Sequence, residues 1–229
     1  MDVLTTTREL LDATSLPGPL ADELLAGAPP LWLSTSTPAA AASQLALCHP
    51  ALRHEEVRAA VSDSDAGWRL SVVAADRRGL LADTTAVLAA QGLSIVAASV
   101  ATWPDLGLAL HALDVAPPAP SPVELDLLGD RLRAVGRSAW TPFRFRPAGR
   151  LVATWTGRSG EAELLTIEGP DQVGFVAGVC RWLADHDVDI VSAWVSTRRG
   201  TAHDVFGLTG SGVDRLDLDE LATALSDVS

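Results

Sequence analysis

The chain has no lysine and no tyrosine among its 229 residues, and only two cysteines. Without lysine there is no phosphate-loop lysine, no Schiff-base chemistry and no protein-kinase site. Cys48 and Cys180 are too few for a disulfide framework or a thiolate metal cage, which fits a reducing compartment. Positive charge is scarce: 17 arginines face 29 Asp and Glu, for a formal net charge of −12 and a pI near 4.7. Such a chain repels phosphate backbones, so no nucleic-acid partner is expected. No apolar run approaches the roughly 18 residues of a membrane span. The start, MDVLTTTRELLD, has neither the basic nor the apolar region of a signal peptide. A soluble cytoplasmic protein with no membrane partner is expected. Its 48% apolar and 20% charged residues belong to a globular chain that can bury a core.

What is present is a repeat. Offset by 95 residues, 70–102 and 165–197 are identical at 11 of 33 positions without a gap. Composition alone would give roughly three to four. The identities include Asp76/Asp171, Gly79/Gly174, Leu88/Leu183, Ile95/Ile190 and Val100/Val195. In each copy a strand (68–75; 163–169) runs into a D-x-x-G loop and a helix with an apolar stripe. Leu80, Leu81, Thr84, Val87 and Leu88 form that stripe in the first copy; Phe175, Val176, Val179, Trp182 and Leu183 form it in the second. Strands at 93–102 and 107–115 follow, matched by 188–197 and 202–209. A last helix comes from 121–135 and from 217–228, the former opened by a capping box of Ser121, Pro122 and Glu124.

The chain ends just after that last helix, so the fourth strand of each copy must come from upstream. Residues 56–61 and 151–156 supply it, each as a hairpin with the next strand, the second turning through Gly-Ser-Gly. Each copy thus reads ββαββα, a βαββαβ unit with its final strand moved to the front. The fold class expected is α+β: two four-stranded antiparallel sheets, each with two helices on one face, over 56–138 and 150–229. Residues 1–55 form an N-terminal helical segment, with helices at 8–14, 17–27 and 37–48 and a turn-rich stretch near 28–36. Thr37 is the N-cap of the third, with Pro38 in its first turn. Pro/Ala/Ser-rich runs at 116–122 and 141–149 are linkers.

With these elements in place, A-x-D-R-x-G-L-L-A (74–82) followed by G-L-S-I-V-x-A (92–98) resembles the ACT domain, a small amino-acid-sensing module. The second copy, with D-Q-V-G-F-V-A (171–177), I-V-S-A-W-V-S-T (190–197) and A-H-D-V-F-G-L-T (202–209), is similar to the last ACT domain of the bifunctional PII uridylyltransferase/uridylyl-removing enzyme family. The stretch at 31–42 resembles the connector ahead of that family's tandem ACT pair. The resemblance covers about residues 30–229 and implies two ferredoxin-like ACT domains in permuted order. It also implies a free amino acid as ligand, glutamine in that family, and regulation of nitrogen or amino-acid metabolism. Dimerisation through the ACT sheets and a partner enzyme or regulator would follow from the same likeness. No room exists here for that family's catalytic domains, so a non-catalytic sensor is expected, with no cofactor. Departures are plain. Arg78 stands where the family has Pro, and Gln172-Val173 replaces Arg-Pro. Ser94 and Asp189 replace Asn, and His111 stands where the second copy has Asp204.

The D-x-x-G loops carry the chemistry. A glycine before a helix lets a ligand approach the backbone, and first-turn N–H groups suit a carboxylate. Asp76 or Asp171 could take an α-ammonium. The candidate ligand-binding residues are Asp76, Arg77, Gly79, Leu80, Leu81, Ser94 and Ile95 in the first copy. In the second they are Asp171, Gln172, Gly174, Phe175, Val176, Asp189 and Ile190. The plainer alternative is that Asp and Gly merely form the β-to-α turn. Asp187-Val188-Asp189 mimics a metal dicarboxylate but falls at a helix-to-strand turn. The His-Asp pairs at 186–187 and 203–204 lack the further ligands a metal needs. His203 and Asp204 should point to opposite faces of their strand. No catalytic or metal site is therefore assigned. Cys48, beside His49 and near His54, reads as a small apolar residue at a helix end, as does Cys180. Trp155 and Trp194 read as packing residues at a sheet edge or pocket. Two rivals stand beside the sensor: an interaction adaptor without a small ligand, and a shortened uridylyltransferase-like subunit.

Overall fold

Alternation of β-branched or apolar residues with polar ones sets eight strands in the computed structural model, which describes residues 3–53, 55–116, 125–135, 145 and 148–226. The first half contributes β1 (Val57–Ser64), β2 (Gly67–Ala75), β3 (Ser94–Trp103) and β4 (Leu108–Ala116). The second contributes β5 (Val152–Ser159), β6 (Ala162–Pro170), β7 (Asp189–Arg198) and β8 (Thr201–Thr209). Between and around them lie eight α-helices: α1 (Val3–Leu11), α2 (Gly18–Ala26), α3 (Pro30–Thr35), α4 (Pro38–Ala46), α5 (Leu80–Ala90), α6 (Leu125–Ala134), α7 (Phe175–Asp185) and α8 (Leu218–Ala224). Each half runs β-β-α-β-β-α. The segments expected as strands at 56–61 and 151–156 lie in β1 and β5, antiparallel to β2 and β6. The β5–β6 turn falls at Gly160–Glu161 rather than earlier, because a bulge at Trp155–Gly157 lets the strand continue to Ser159. The capping box at Ser121, most of both linkers, His54 and the end of the last helix lie outside the described residues.

Two four-stranded sheets, able to join edge to edge within the chain or between chains, are the expectation from sequence; the chain joins them into one. Its strand order is β1-β2-β4-β3-β7-β8-β6-β5, with every neighbouring pair antiparallel. The seam is β3 on β7, with Ser99 opposite Trp194 at its centre. These two are repeat mates, so a pseudo-twofold axis passes between them. The physical reason for the fusion is edge removal: β3 and β7 would each expose a row of unpaired backbone groups. The route to a dimer through those two edges is closed within the chain, leaving β1 and β5 as outer edges.

Helices α5 to α8 lie on one face, over a core that includes Leu70, Val72, Leu88, Val100, Leu165, Ile167, Leu183, Val195 and Phe206. Helix α5 is buried from Leu80 to Ala89, so its apolar stripe widens to its whole circumference. It packs beside α7 across the seam, both helices on the same face of the sheet. Cys180 is buried in this core and Cys48 in the other; burial pushes the Cys48 thiol up to about 12, so it serves as apolar filling.

The opposite face of the first half is covered by the N-terminal helices, which bury Val73, Ala101, Trp103 and Leu110. The stretch expected to be turn-rich contains α3, because extended Pro29 delivers Pro30 at the first helical position, where a missing N–H costs nothing. Thr37 caps α4, its side chain accepting from the Ala40 amide at 3.3 Å. Trp32 packs edge-on against Trp103, centroids 5.9 Å apart, and the buried Trp103 indole donates to the Leu24 carbonyl at 2.7 Å. No described helix is long and apolar enough to cross a membrane. Trp103→Ala removes both contacts and should cost about 3–5 kcal/mol. That is a fall of roughly 6–20 °C in Tm. A thermal melt shifted by less than a degree or two would show that the helices do not hang on this residue.

Candidate functional site

The two D-x-x-G loops are built alike. The Asp76 amide donates to the Gly107 carbonyl at 2.8 Å, and the Asp171 amide to that of Gly200 at 3.0 Å. Gly79 (φ 77°) and Gly174 (φ 87°) occupy the left-handed region that carries the chain from strand into helix. An added Cβ at Gly79 would lie 3.6 Å from the Ala184 Cβ of α7, so the loop of one half abuts the helix of the other. The first-turn amides of α5 and α7 beyond these loops have no carbonyl one turn back within the helix.

The seam then sets each loop against the helix-to-strand turn of the other half. One cavity, about 40 Å³, is lined by Asp76, Arg77, Gly79, Leu80 and Leu81 of the first half with Asp189 and Ile190 of the second. Its mate, about 10 Å³ and so about one water in size, is lined by Asp171, Gln172, Gly174, Phe175 and Val176 with Ile95. Of the fourteen residues marked in the sequence, thirteen line the two cavities. Ser94 does not: its neighbours Leu93 and Ile95 do.

Sequence reasoning noted the His111/Asp204 exchange but gave neither residue a role. Both lie at the floors of these cavities. His111, 2% exposed, lines the first; Asp204, fully buried, lines the second. The His111 Nδ1 has no hydrogen-bond partner, and among the described residues only the Ser196 backbone amide, at long reach, donates toward the Asp204 carboxylate. Burial dominates both titrations. It pushes the Asp204 carboxyl up to about 8, with the Asp171 charge adding to it and the nearby Ser196 amide opposing. It lowers His111 to about 4, helped by Arg77. Burial also raises Asp76, with Asp189 adding, and raises Asp171, against a hydrogen bond from Thr197.

Arginines latch the joint. Asp83, a charge nearly buried in the apolar α5, takes Arg77 at 2.6 Å and, from the other half, Arg181. A lone acid inside L-L-A-D-T-T-A-V-L was the signal for this, and it was passed over. Arg78 crosses the mouth of the first cavity to Asp187 at 2.5 Å and Asp189 at 3.2 Å. Of the D-x-D acids, Asp187 is thus a turn residue and Asp189 the first residue of β7, both paired with Arg78. Asp187 adopts φ 60° where the first half has Gly92 at 72°. His203 bonds Glu168 on the outer face while Asp204 points into the core. Trp194 lines a cavity on that outer face, and Trp155 is 38% exposed on edge strand β5.

No family model and no curated protein matches the chain. Among solved structures it is similar to an aspartate kinase from Synechocystis, at 14% identity and a TM-score of 0.41, over 69% of this chain and 26% of the kinase. It is also similar to an unknown protein from Galdieria sulphuraria, at 20% identity and a TM-score of 0.26, over 69% and 87% of the two chains. The chain spans about a quarter of the kinase's length. At such scores neither likeness carries an argument; the chain's own geometry must.

A raised carboxyl favours the fold most below its unfolded value, and that stability is lost as pH rises through the folded one. Wild-type stability should therefore fall between about pH 4 and pH 8 on account of Asp204. His111 acts oppositely, with stability lost as pH falls from 6.5 toward about 4. Asp204→Asn should gain on wild type by roughly 2–4 kcal/mol more at pH 9 than at pH 5 in urea unfolding. An equal difference at both pH values would mean that Asp204 is not held neutral in the fold.

Proposed function

We propose that the chain is a non-catalytic sensor of a free amino acid, built from two ACT domains in permuted ββαββα order over 56–138 and 150–229. The observation that carries this reading is the doubled loop site at the seam. Each D-x-x-G turn faces the other half's helix end, over a buried ionisable side chain, His111 in the first and Asp204 in the second. A zwitterion needs an anion-accepting and a cation-accepting group a few ångströms apart. First-turn amides supply the one and Asp76 or Asp171 the other. Both cavities are smaller than an amino acid, so occupancy requires α5 and α7 to part. Ligand binding would then be read out as a shift of one half against the other.

The two sites differ in charge. The first carries Arg77 and Arg78 beside its acids; the second lines Asp171 and Asp204 with no basic side chain. They are expected to take different ligands or to differ in affinity. The Arg78 latch is at least 40% exposed at every partner, and such pairs contribute at most about 1 kcal/mol. It can swing aside at little cost. Glutamine is the first ligand to test, in a cytoplasmic role in nitrogen or amino-acid metabolism, with a homodimer through the remaining sheet edges and a partner enzyme as the downstream elements. The adaptor reading keeps one observation in its favour. Beyond β7, which α3 reaches, the N-terminal helices leave the outer face of the second half uncovered, and Val152 on edge strand β5 is 49% exposed.

Thermal melts with each of the twenty amino acids separate the two. A ligand at about 100 times its Kd should add roughly 2.7 kcal/mol, a rise of roughly 5–11 °C. Asp76→Ala or Asp171→Ala should weaken binding by about 1–3 kcal/mol at whichever site is competent. A flat panel would retire the sensor in favour of the adaptor.

A further inference from the structure

The most spacious of the cavities described above is not at the loops. On the opposite face of the sheet, beneath the turn that joins α3 to α4, lies a cavity of about 160 Å³. Its floor is of small residues from the first half, Ala97, Ser99 and Ala112, and Trp194 of β7 stands at one side. The seam creates this shape: Ser99 and Trp194 are paired repeat mates, so the axis puts a small residue and an indole side by side. Exposed Thr35 and Thr37 mark its mouth.

Its polar groups are specific. Gln44 is only 5% exposed, yet its amide oxygen has no partner; the buried Ser36 hydroxyl has none either. Buried acceptors left unmade cost about 1–3 kcal/mol each, so an occupant that donates to them is favoured. The two charged residues of the lining cancel. Arg69 grips Asp114 through two bonds of 2.7 and 2.6 Å, across directly paired positions of β2 and β4. A net-neutral lining disfavours an ionic occupant. The volume matches cavities that hold one six-membered ring. A planar primary amide such as that of Gln44 pairs best with a ring amide, one N–H given to its oxygen and one ring carbonyl accepting from its nitrogen.

We propose that this cavity binds a neutral planar ring carrying an amide N–H, of the pyrimidine nucleobase class, with Gln44 as the reading residue and Trp194 as the aromatic wall. The site is independent of the seam loops and stands whether or not an amino acid binds there.

Uracil and uridine are titrated into labelled full-length protein, following the Gln44 side-chain amide and the Trp194 indole N–H by NMR. Both signals should shift saturably, and the tighter of the two probes tells a free base from a nucleoside. Uracil with both ring nitrogens methylated cannot donate, and should bind at least roughly tenfold more weakly. Gln44→Leu, and separately Trp194→Leu should the first fail to fold, should weaken uracil by a similar factor. Asp76→Ala and Asp171→Ala should leave it unchanged. No saturable shift with either probe at millimolar concentration, methylated uracil binding as well as uracil, or undiminished binding in the folded variants would each overturn the proposal.

Discussion

The pairing of β3 with β7 is the constraint on which the rest of the structure depends. It turns two halves into one eight-stranded sheet and lays α5 beside α7 on one face. Through that contact each D-x-x-G loop meets the other half's helix-to-strand turn. Remove the seam and both loop cavities lose one wall, as does the cavity beside Trp194. Burial is what makes the seam costly to open: α5 is enclosed on all sides, and Asp83 inside it is held by arginines from both halves.

Pseudo-symmetry in the backbone does not extend to the chemistry. The halves share their element order and strand pairing, but His111 answers Asp204, Arg78 answers Val173 and Ser99 answers Trp194. Each exchange changes what a site can hold. The first loop site is latched by an arginine; the second is nearly closed and acidic. The outer face is equally lopsided, since the N-terminal helices bury the first half's surface and leave the second's largely open.

Much of the fold was legible because its signals are local. The offset repeat, the alternating strands and the D-x-x-G turns placed the strands of the sheet to within a residue or two at most ends. That the two sheets could join edge to edge was foreseeable; which edges join, and in what register, was not, since edge pairing leaves no local pattern: Ser99 and Trp194 look like unrelated residues until they face each other. Helix α3 was missed because Pro29-Pro30 reads as a breaker, although Pro at a first helical position starts a helix. At the site, the loop residues were found because glycine with positive φ has a signature. His111, Asp204 and Asp83 read from sequence as ordinary polar residues of a strand or helix, and only burial reveals that they lack solvent. Ser94 was carried along by its place beside Ile95 and lies off the cavity.

The seam itself can be measured without any ligand. Amide hydrogen exchange at residues 97–101 and 192–196, followed over a dilution series, reports whether β3 and β7 are paired and whether the pairing is internal. The account predicts that these amides are among the slowest in the chain and that their rates do not change on dilution. Rapid exchange typical of edge strands, or protection that fades as the protein is diluted, would contradict it.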